Sequence, residues 1–487
     1  MRSGLAARNG GRVGLAALVA ILLLGLGLRV GYAWDGRAPV YDAQAYAAIA
    51  ANLDRGEGFT VGASATQPSS NYSPGLPLVV AGLYEVTGGV HERLARVVLA
   101  VVGGLAVLFA YLIGRRLGRL LSHPPRASGV GGRGGAGPRV VGRRGVAAGL
   151  LAALAVAVYP AFLEYGGMLM SEPLAATLLS GAVLGMFWAR DGTSVWRWLL
   201  PGVTLGALAM VRPEYLAVDV LLAVVVLATE CRSRPPRLPF PTHGVGKGNL
   251  GGLWYGVAVG ALVVAGVVVV VAPWTVRNAV ALDRFVPIST GGGQVLYAGT
   301  YLPSDGDPER VGAGVVAENP EIFSPADATQ LRLEQILARL AAHTYPGLES
   351  DEALSKMGRE QLWDDVSEEP LEYAGFAAAK VGRIWSHGPR DVMREPLWEA
   401  LHWALVGFGL LGLLVLAWRR RWEALVLATI LVAITLLSAL LVASPRRVLV
   451  MIPLVAACAG VGATFAFGWI GRAWRRSGRT GAATTGG

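Results

Sequence analysis

The sequence predicts an all-α polytopic membrane protein, and three observations carry that expectation. Hydrophobic residues make up 53% of the 487-residue chain and charged residues only 16%, with a mean hydropathy of +0.49, which excludes an ordinary soluble domain. Apolar runs of about twenty residues recur from Val13 almost to the C-terminus, each long enough to cross a hydrocarbon core of roughly 30 Å as a helix. These runs are continuously apolar, whereas the strands of a membrane barrel alternate apolar and polar positions over about ten residues.

Along the chain, Arg2, Arg8 and Arg12 precede the first run at 13–34. Cleaved signal peptides and first transmembrane helices share that pattern; the helix is expected, because the run exceeds a signal core of about 7 to 15 residues and no small-x-small cleavage site closes it. Further spans are expected at 94–113, 146–162, 172–189, 198–211, 215–229, 253–272, 397–418, 424–442 and 448–470, about ten transmembrane helices in all. The pair at 198–211 and 215–229 is short and shares one polar break. The chain then divides into a transmembrane module at 1–276, expected to carry the chemistry and to include an external loop at 35–77. An external, partly helical loop domain follows at 277–396, and C-terminal transmembrane helices with a cytoplasmic tail at 397–487.

Charge sets the orientation. A formal charge of +10 raises nucleic acid as a partner, but the charges are segregated by loop rather than gathered on one soluble face. The loop from Arg115 to Arg144 carries Arg116, Arg119, Arg126, Arg133, Arg139 and Arg143 and no acid, so the positive-inside bias makes it cytoplasmic. Alternate counting puts 190–197, 231–252, 419–421 and the Arg-rich tail after Ile470 on the same side, with both termini cytoplasmic in the plasma membrane. The first loop and the acidic segment at 277–396, with Asp305, Asp307, Glu309, Glu349, Asp351, Asp364, Asp365, Glu368 and Glu369, fall outside. Within it, 326–342 and 351–366 have helical apolar spacing, as at Leu331, Ile336, Leu337 and Leu340. The Gly/Arg-rich stretch at 129–145 has the composition of a disordered linker. Cys231 and Cys458 form no disulfide framework, and the histidines, among them His91, His343 and His387, show no metal-ligand spacing.

The first external loop is the most informative segment. Tyr46, Ile49, Ala50 and Leu53 fall at i, i+3, i+4 and i+7, giving an amphipathic helix from Asp42 to Arg55-Gly56 whose apolar face suits the membrane surface. Asp42 has two compatible readings, an N-cap and a carboxylate at the mouth of a site. Ser171-Glu172-Pro173 likewise reads as a helix start, yet Glu172 is expected at the same membrane surface as Asp42. Arg212, Arg277, Arg446 and Arg447 all map to external helix ends, where the positive-inside bias makes arginine unexpected. Lipid phosphates, or pairing with Glu214 or Asp283, account for any one of them. Together with the two carboxylates they describe a site for a phosphate-bearing lipid plus acid/base chemistry. Tyr46 and Tyr72 from the first loop, and Gln294 and Tyr297 after the Gly-rich stretch 289–293, complete the expected binding set.

At these residues the chain resembles the membrane glycosyltransferases of the GT-C superfamily, in the family 39-like branch of protein O-mannosyltransferases and lipid A aminoarabinose transferases. The resemblance covers most of the chain. Its landmarks are Asp42 and Tyr46 followed by Gly56-Glu57-Gly58-Phe59, then Ser73-Pro74-Gly75-Leu76-Pro77, Ser171-Glu172-Pro173, Arg212-Pro213-Glu214, Pro273-Trp274-Thr275-Val276-Arg277-Asn278, and Pro445-Arg446 with Pro453. Where the family commonly has Asp-Glu, Ala43 follows Asp42; where relatives often read Arg-Tyr-Arg, this chain has Arg446-Arg447-Val448. The resemblance implies an enzyme that moves a sugar from a polyprenyl-phosphate donor to an external acceptor, protein, lipid or polysaccharide, at the outer leaflet, usually with inversion. It implies Asp42 as acid/base, Glu172 shaping the site and arginines on the lipid phosphate; a monophosphate leaving group paired with arginines reduces the need for a divalent ion, so no obligatory cofactor or metal is expected. Two other classes share the polytopic pattern. A lipid or sugar transporter or flippase is expected to show repeats and polar, broken helices near the midplane, whereas these spans are mostly apolar apart from Asp219. A non-catalytic envelope-assembly scaffold needs neither the carboxylates nor the external arginines.

Overall fold

The computed structural model describes residues 2–35, 42–61, 68–121, 138–231, 249–386 and 388–481, with the backbone alone at 2–11, 138–141, 249–250 and 473–481. Most of the Gly/Arg-rich stretch at 129–145, most of the loop at 231–252, residues 36–41 of the first loop, and His387 lie outside the described residues. All regular structure among the described residues is helical. The first half comprises α1 (Arg2–Trp34), α2 (Asp42–Asp54), α3 (Gly75–Thr87), α4 (Glu92–Leu120), α5 (Pro138–Ala157), α6 (Pro160–Gly166), α7 (Ser171–Asp191), α8 (Leu199–Val211), α9 (Tyr215–Cys231) and α10 (Asn249–Leu282). An insertion follows, built from α11 (Gly292–Thr300), α12 (Pro308–Glu318), α13 (Asp327–Gln330), α14 (Leu333–Thr344), α15 (Ser350–Glu368) and α16 (Pro370–Ser386). The chain closes with α17 (Pro396–Trp418), α18 (Trp422–Leu440) and α19 (Arg446–Gly481).

Among the described residues seven helices are long and apolar enough to cross a membrane: α1, α4, α7, α10, α17, α18 and α19, or eight if the bent pair α5–α6 is one span. The sequence pattern suggests about ten, and the further two are the shorter helices α8 and α9. Arg212 precedes Pro213 and takes an extended conformation (φ −143°, ψ 95°), which stops α8 after 13 residues, a rise of about 20 Å. The 17-residue α9 starts beyond that break. Pro160 likewise bends α5–α6 by 53°. The carbonyls freed at this bend are taken up by buried Arg29 of α1, whose Nη1 donates to Ala157 O at 3.0 Å and Nη2 to Val156 O at 2.8 Å.

α19 is the axis of the bundle: its residues 448–458 are buried, and it packs on α4, α5, α7 and α17. Close approach depends on glycine, as at Gly412, where a Cβ would lie 2.0 Å from Cys458 O. The amphipathic helix of the first loop forms as its spacing predicts, but its apolar face does not lie on the membrane surface. Tyr46, Ile49 and Ala50 are buried in the main core, with α2 packed on α3. Gly56 and Gly58, both at φ +76°, turn the chain back, and Asn52 Nδ2 then holds Thr60 O at 3.1 Å and Oγ1 at 2.9 Å, so that face closes on protein.

The insertion has its own core, in which Ile336, Leu337 and Leu340 of α14 meet Val311, Val315, Leu354, Tyr297 and Tyr301. The expected helix at 326–342 is broken at Leu331, which is extended and starts no helical turn. Lys380 of α16, buried, donates from Nζ to Gly299 O at 2.6 Å and so ties α16 to the C-terminal end of α11. Burial, then the nearby Arg447 charge, pulls this ammonium down to about 7.

Candidate active site

Six charged side chains join into one continuous chain of ion pairs at the end of the bundle where α7 and α19 begin. Asp42, the first residue of α2, accepts from Arg446 Nη1 at 2.8 Å through Oδ2. Arg446 Nε donates to Glu172 Oε1 at 2.6 Å, and Arg212 Nη1 reaches the same oxygen at 3.3 Å. Arg212 Nε donates to Glu214 Oε1 at 2.8 Å, and Arg447 Nε stands 3.9 Å from that atom. Arg447 also donates to Val442 O.

Local chain chemistry puts these groups together. The Arg212-Pro213 break turns Arg212 and Glu214 back toward the start of α7. Pro445 precedes α19, so Arg446 and Arg447 project from its first turn. Gly75 lets α3 approach this corner: a Cβ there would lie 2.6 Å from Val211 Cγ2 and 2.8 Å from Met210 C, and Ser73 and Arg212 border the same cavity. The Arg446 guanidinium sits 5.8 Å over the Tyr165 ring.

Burial is graded along the chain of pairs. The Glu172 side chain is 0% exposed and its Oε2 has no hydrogen-bond partner among the described residues. Arg446 is 29% and Asp42 36% exposed. Burial acts to raise Glu214, but Arg212 and Arg447 overcome it and hold this carboxyl below its ordinary value. Burial, then the charges of Asp42 and Glu172, pushes the Tyr46 hydroxyl up; Tyr72 is pushed up to about 12 by burial and by Glu334 and Asp42. The two tyrosine rings meet edge to face with centroids 5.8 Å apart.

These residues border a cavity of about 350 Å³, within the size range of small-molecule sites. Asp42, Tyr46, Arg212, Gln294, Arg446 and Arg447 of the expected set line it. Glu172 stands behind Arg212 and Arg446, and Tyr72 behind Tyr46. The sequence pattern does not single out Glu214, Ser73, Ser171 or Ser444 as site residues, although the first three stand inside proline-containing landmarks quoted above and Ser444 directly precedes one. The insertion contributes Leu333, Val295 and Ala298 to the wall, which no sequence signal announced.

Two expected members are placed elsewhere. Arg277 does not line the cavity; it donates to Ser69 O at 3.0 Å and Phe59 O at 3.4 Å and lies 4.8 Å over the Trp274 ring. Asn278 Nδ2 holds Val286 O and Ile288 O, and Trp274 Nε1 also donates to Ile288 O. The Trp274–Asn278 landmark thus fastens two loops near the site. Tyr297 is buried in the insertion core, stacked on Tyr301 at 6.2 Å. The triple glycine that precedes it binds a carboxylate of the chain itself: Gly291 N and Gly293 N donate to Asp351 Oδ1 at 2.9 and 2.8 Å, docking α15 on α11. Among the described residues, no three His, Cys, Asp or Glu side chains gather as a metal-binding group.

No family model matches the sequence, and no curated protein is similar to it. Solved structures share its fold. The Archaeoglobus fulgidus oligosaccharyltransferase in the apo form superposes with a TM-score of 0.53 at 16% identity, over 95% of this chain and 52% of that one. The archaeal oligosaccharyltransferase AglB from the same organism, in complex with an inhibitory peptide and a dolichol-phosphate, gives 0.51 at 15% identity over the same shares. The chain therefore spans about half the length of these proteins. ArnT from Cupriavidus metallidurans bound to undecaprenyl phosphate aligns at 14% identity over 92% of this chain and 77% of that one, with a TM-score of 0.38, too low to argue from. The chain is a multi-pass membrane protein, all-helical among the described residues, and shares the fold of these oligosaccharyltransferase structures.

Proposed function

We propose that this chain is an integral-membrane glycosyltransferase that moves a sugar from a polyprenyl-phosphate donor to an acceptor hydroxyl at the outer leaflet. One observation carries the reading: three arginines and the half-open carboxylate of Asp42 line one cavity at a bundle end, a donor set suited to a lipid phosphate. The shared GT-C-like fold and the external placement expected from the arginine distribution support it. The unspent side chains support a polyhydroxyl ligand. Tyr46, Ser73, Gln294 and Ser444 border the cavity without a side-chain hydrogen bond among the described residues.

In this mechanism Asp42 accepts the proton of the acceptor hydroxyl as its oxygen attacks the anomeric carbon. The bond between that carbon and the phosphate oxygen breaks, and Arg446 and Arg212 stabilise the charge left on the lipid phosphate. Glu172 is a positioning residue that fixes both guanidinium groups through one oxygen. Arg277 positions the first loop rather than touching the donor. Incubating the purified protein with a panel of polyprenyl-phosphate sugars tests the reading. Release of polyprenyl phosphate with sugar transfer is expected from at least one donor, and no turnover with any donor, under conditions where the protein is folded, would refute it.

A further inference from the structure

The cavity is electrically closed as it stands. Asp42, Glu172 and Glu214 balance Arg212, Arg446 and Arg447 one for one, and every arginine already touches a carboxylate. An entering phosphate anion therefore adds charge to a balanced cluster in which only Arg447 is loosely held, 3.9 Å from Glu214 with its buried Nε unbonded among the described residues, and the cluster is left negative unless a carboxylate is released to water.

Only one of the three can leave cheaply. Glu172 is fully buried and held by Arg212 and Arg446, and Glu214 is 17% exposed and paired with Arg212 and Arg447. Asp42 is 36% exposed, has a single arginine partner, and stands at the first position of α2. The far end of that helix is pinned by Asn52 on Thr60, and its middle by Tyr46 on Tyr72. Arg446 uses separate nitrogens for its two carboxylates, Nε for Glu172 and Nη1 for Asp42, so its Nη1 edge can change partner while Nε keeps the guanidinium in place.

We propose that Arg446 is a partner-exchange switch: a phosphate monoester or diester entering the cavity takes its Nη1 edge from Asp42, and the freed carboxylate becomes available to the acceptor. This rests on the proposed donor site and adds that the base is masked until donor binds. A free base without bound donor would have no use; a base released by the donor phosphate is exposed only when the electrophile is present. The coupling is reciprocal, so whatever holds Asp42 on Arg446 must weaken phosphate binding equally.

Farnesyl phosphate, binding to the full-length protein in detergent, is the probe. Asp42→Asn removes the competing charge and is expected to tighten binding by about tenfold. Arg446→Gln should weaken binding by about tenfold, and adding Asp42→Asn to it should restore nothing. In the unmutated protein, hydrogen exchange at the first turn of α2 should accelerate when farnesyl phosphate binds, a readout that depends on no variant folding. Binding to the unmutated protein with unchanged or weaker affinity in Asp42→Asn, or with greater protection of α2, overturns the switch and leaves the donor site standing. No binding to the unmutated protein overturns both.

Discussion

The two ends of α7 carry the same residue types to different ends. At the Asp191 end, Arg116 of α4 bridges Asp191 and Glu423, and Arg190 pairs with Glu230 at 3.2 Å. These guanidinium groups also lie on aromatic faces, 4.8 Å over Phe187 and 4.2 Å over Trp422. Around them stand further arginines: Arg419 donates to Leu121 O, and Arg421 to Leu120 O. At the Glu172 end, arginines and carboxylates alternate in one chain, and a cavity edged by unspent hydroxyl and amide groups opens beside them. Ion pairs backed by rings and carbonyls join helices. Pairs that enclose space and leave one carboxylate half-open are arranged for a ligand.

The largest expected contrast between the ends is topological. In a background with Cys231 and Cys458 replaced, Ser350→Cys is expected to react with a membrane-impermeant maleimide in intact cells, and Val130→Cys only after lysis. The opposite pattern would put the cavity on the cytoplasmic side and end the donor argument. Stability should separate the ends next. Glu172→Ala leaves Arg212 and Arg446 without their buried carboxylate and should cost about 3 to 5 kcal/mol. Asp191→Ala, at a side chain 59% exposed, should cost less than about 1 kcal/mol in the same unfolding measurement. Equal losses would erase the distinction.

A third contrast concerns pH. Lys380 is held near 7 in the folded insertion, below its ordinary 10.5, so between those values the unfolded chain binds the extra proton. Stability should rise as pH increases from about 7 toward 10, and fall to its lower plateau below 7, where the buried lysine is charged. Thermal unfolding checks this, and Lys380→Met should flatten that part of the profile. The smallest effect is expected at Arg277. Because it fastens the first loop and does not reach the cavity, Arg277→Gln should change farnesyl phosphate binding by less than roughly twofold while making the chain at 59–70 more open to protease. A tenfold loss of binding would return Arg277 to the donor site.

Much of the site was legible because its chemistry contradicts its surroundings. Arg212, Arg446 and Arg447 stand where the topology expected from the positive-inside bias disfavours arginine, and Asp42 heads an amphipathic helix in the first loop. Arg277 carries the same sequence signal, and only three-dimensional packing separates it from the others, since its partners are the backbone carbonyls of Phe59 and Ser69, more than 200 positions away in the chain. The burial of the α2 face was not legible either: an apolar stripe is the same whether it meets lipid or α3. The two spans expected at 198–211 and 215–229 form as helices on either side of Pro213, but at 13 and 17 residues α8 and α9 are shorter than the other spans. The cavity wall from α11 and α14 depends on how the insertion folds back, through contacts such as Asp351 with Gly291 and Gly293, which no local pattern encodes.

The central claim is that the Glu172 end of the bundle performs group transfer with Asp42 as base. It is tested most directly by single-turnover transfer with Asp42→Asn, using whichever polyprenyl-phosphate sugar the unmutated protein accepts. Asparagine starts a helix about as well as aspartate, so folding should be unchanged. Donor binding should persist while the rate falls by about 10²- to 10⁴-fold. Transfer at more than about a tenth of the unmutated rate, from a folded protein with donor bound, would contradict the claim and leave Asp42 as a structural partner of Arg446.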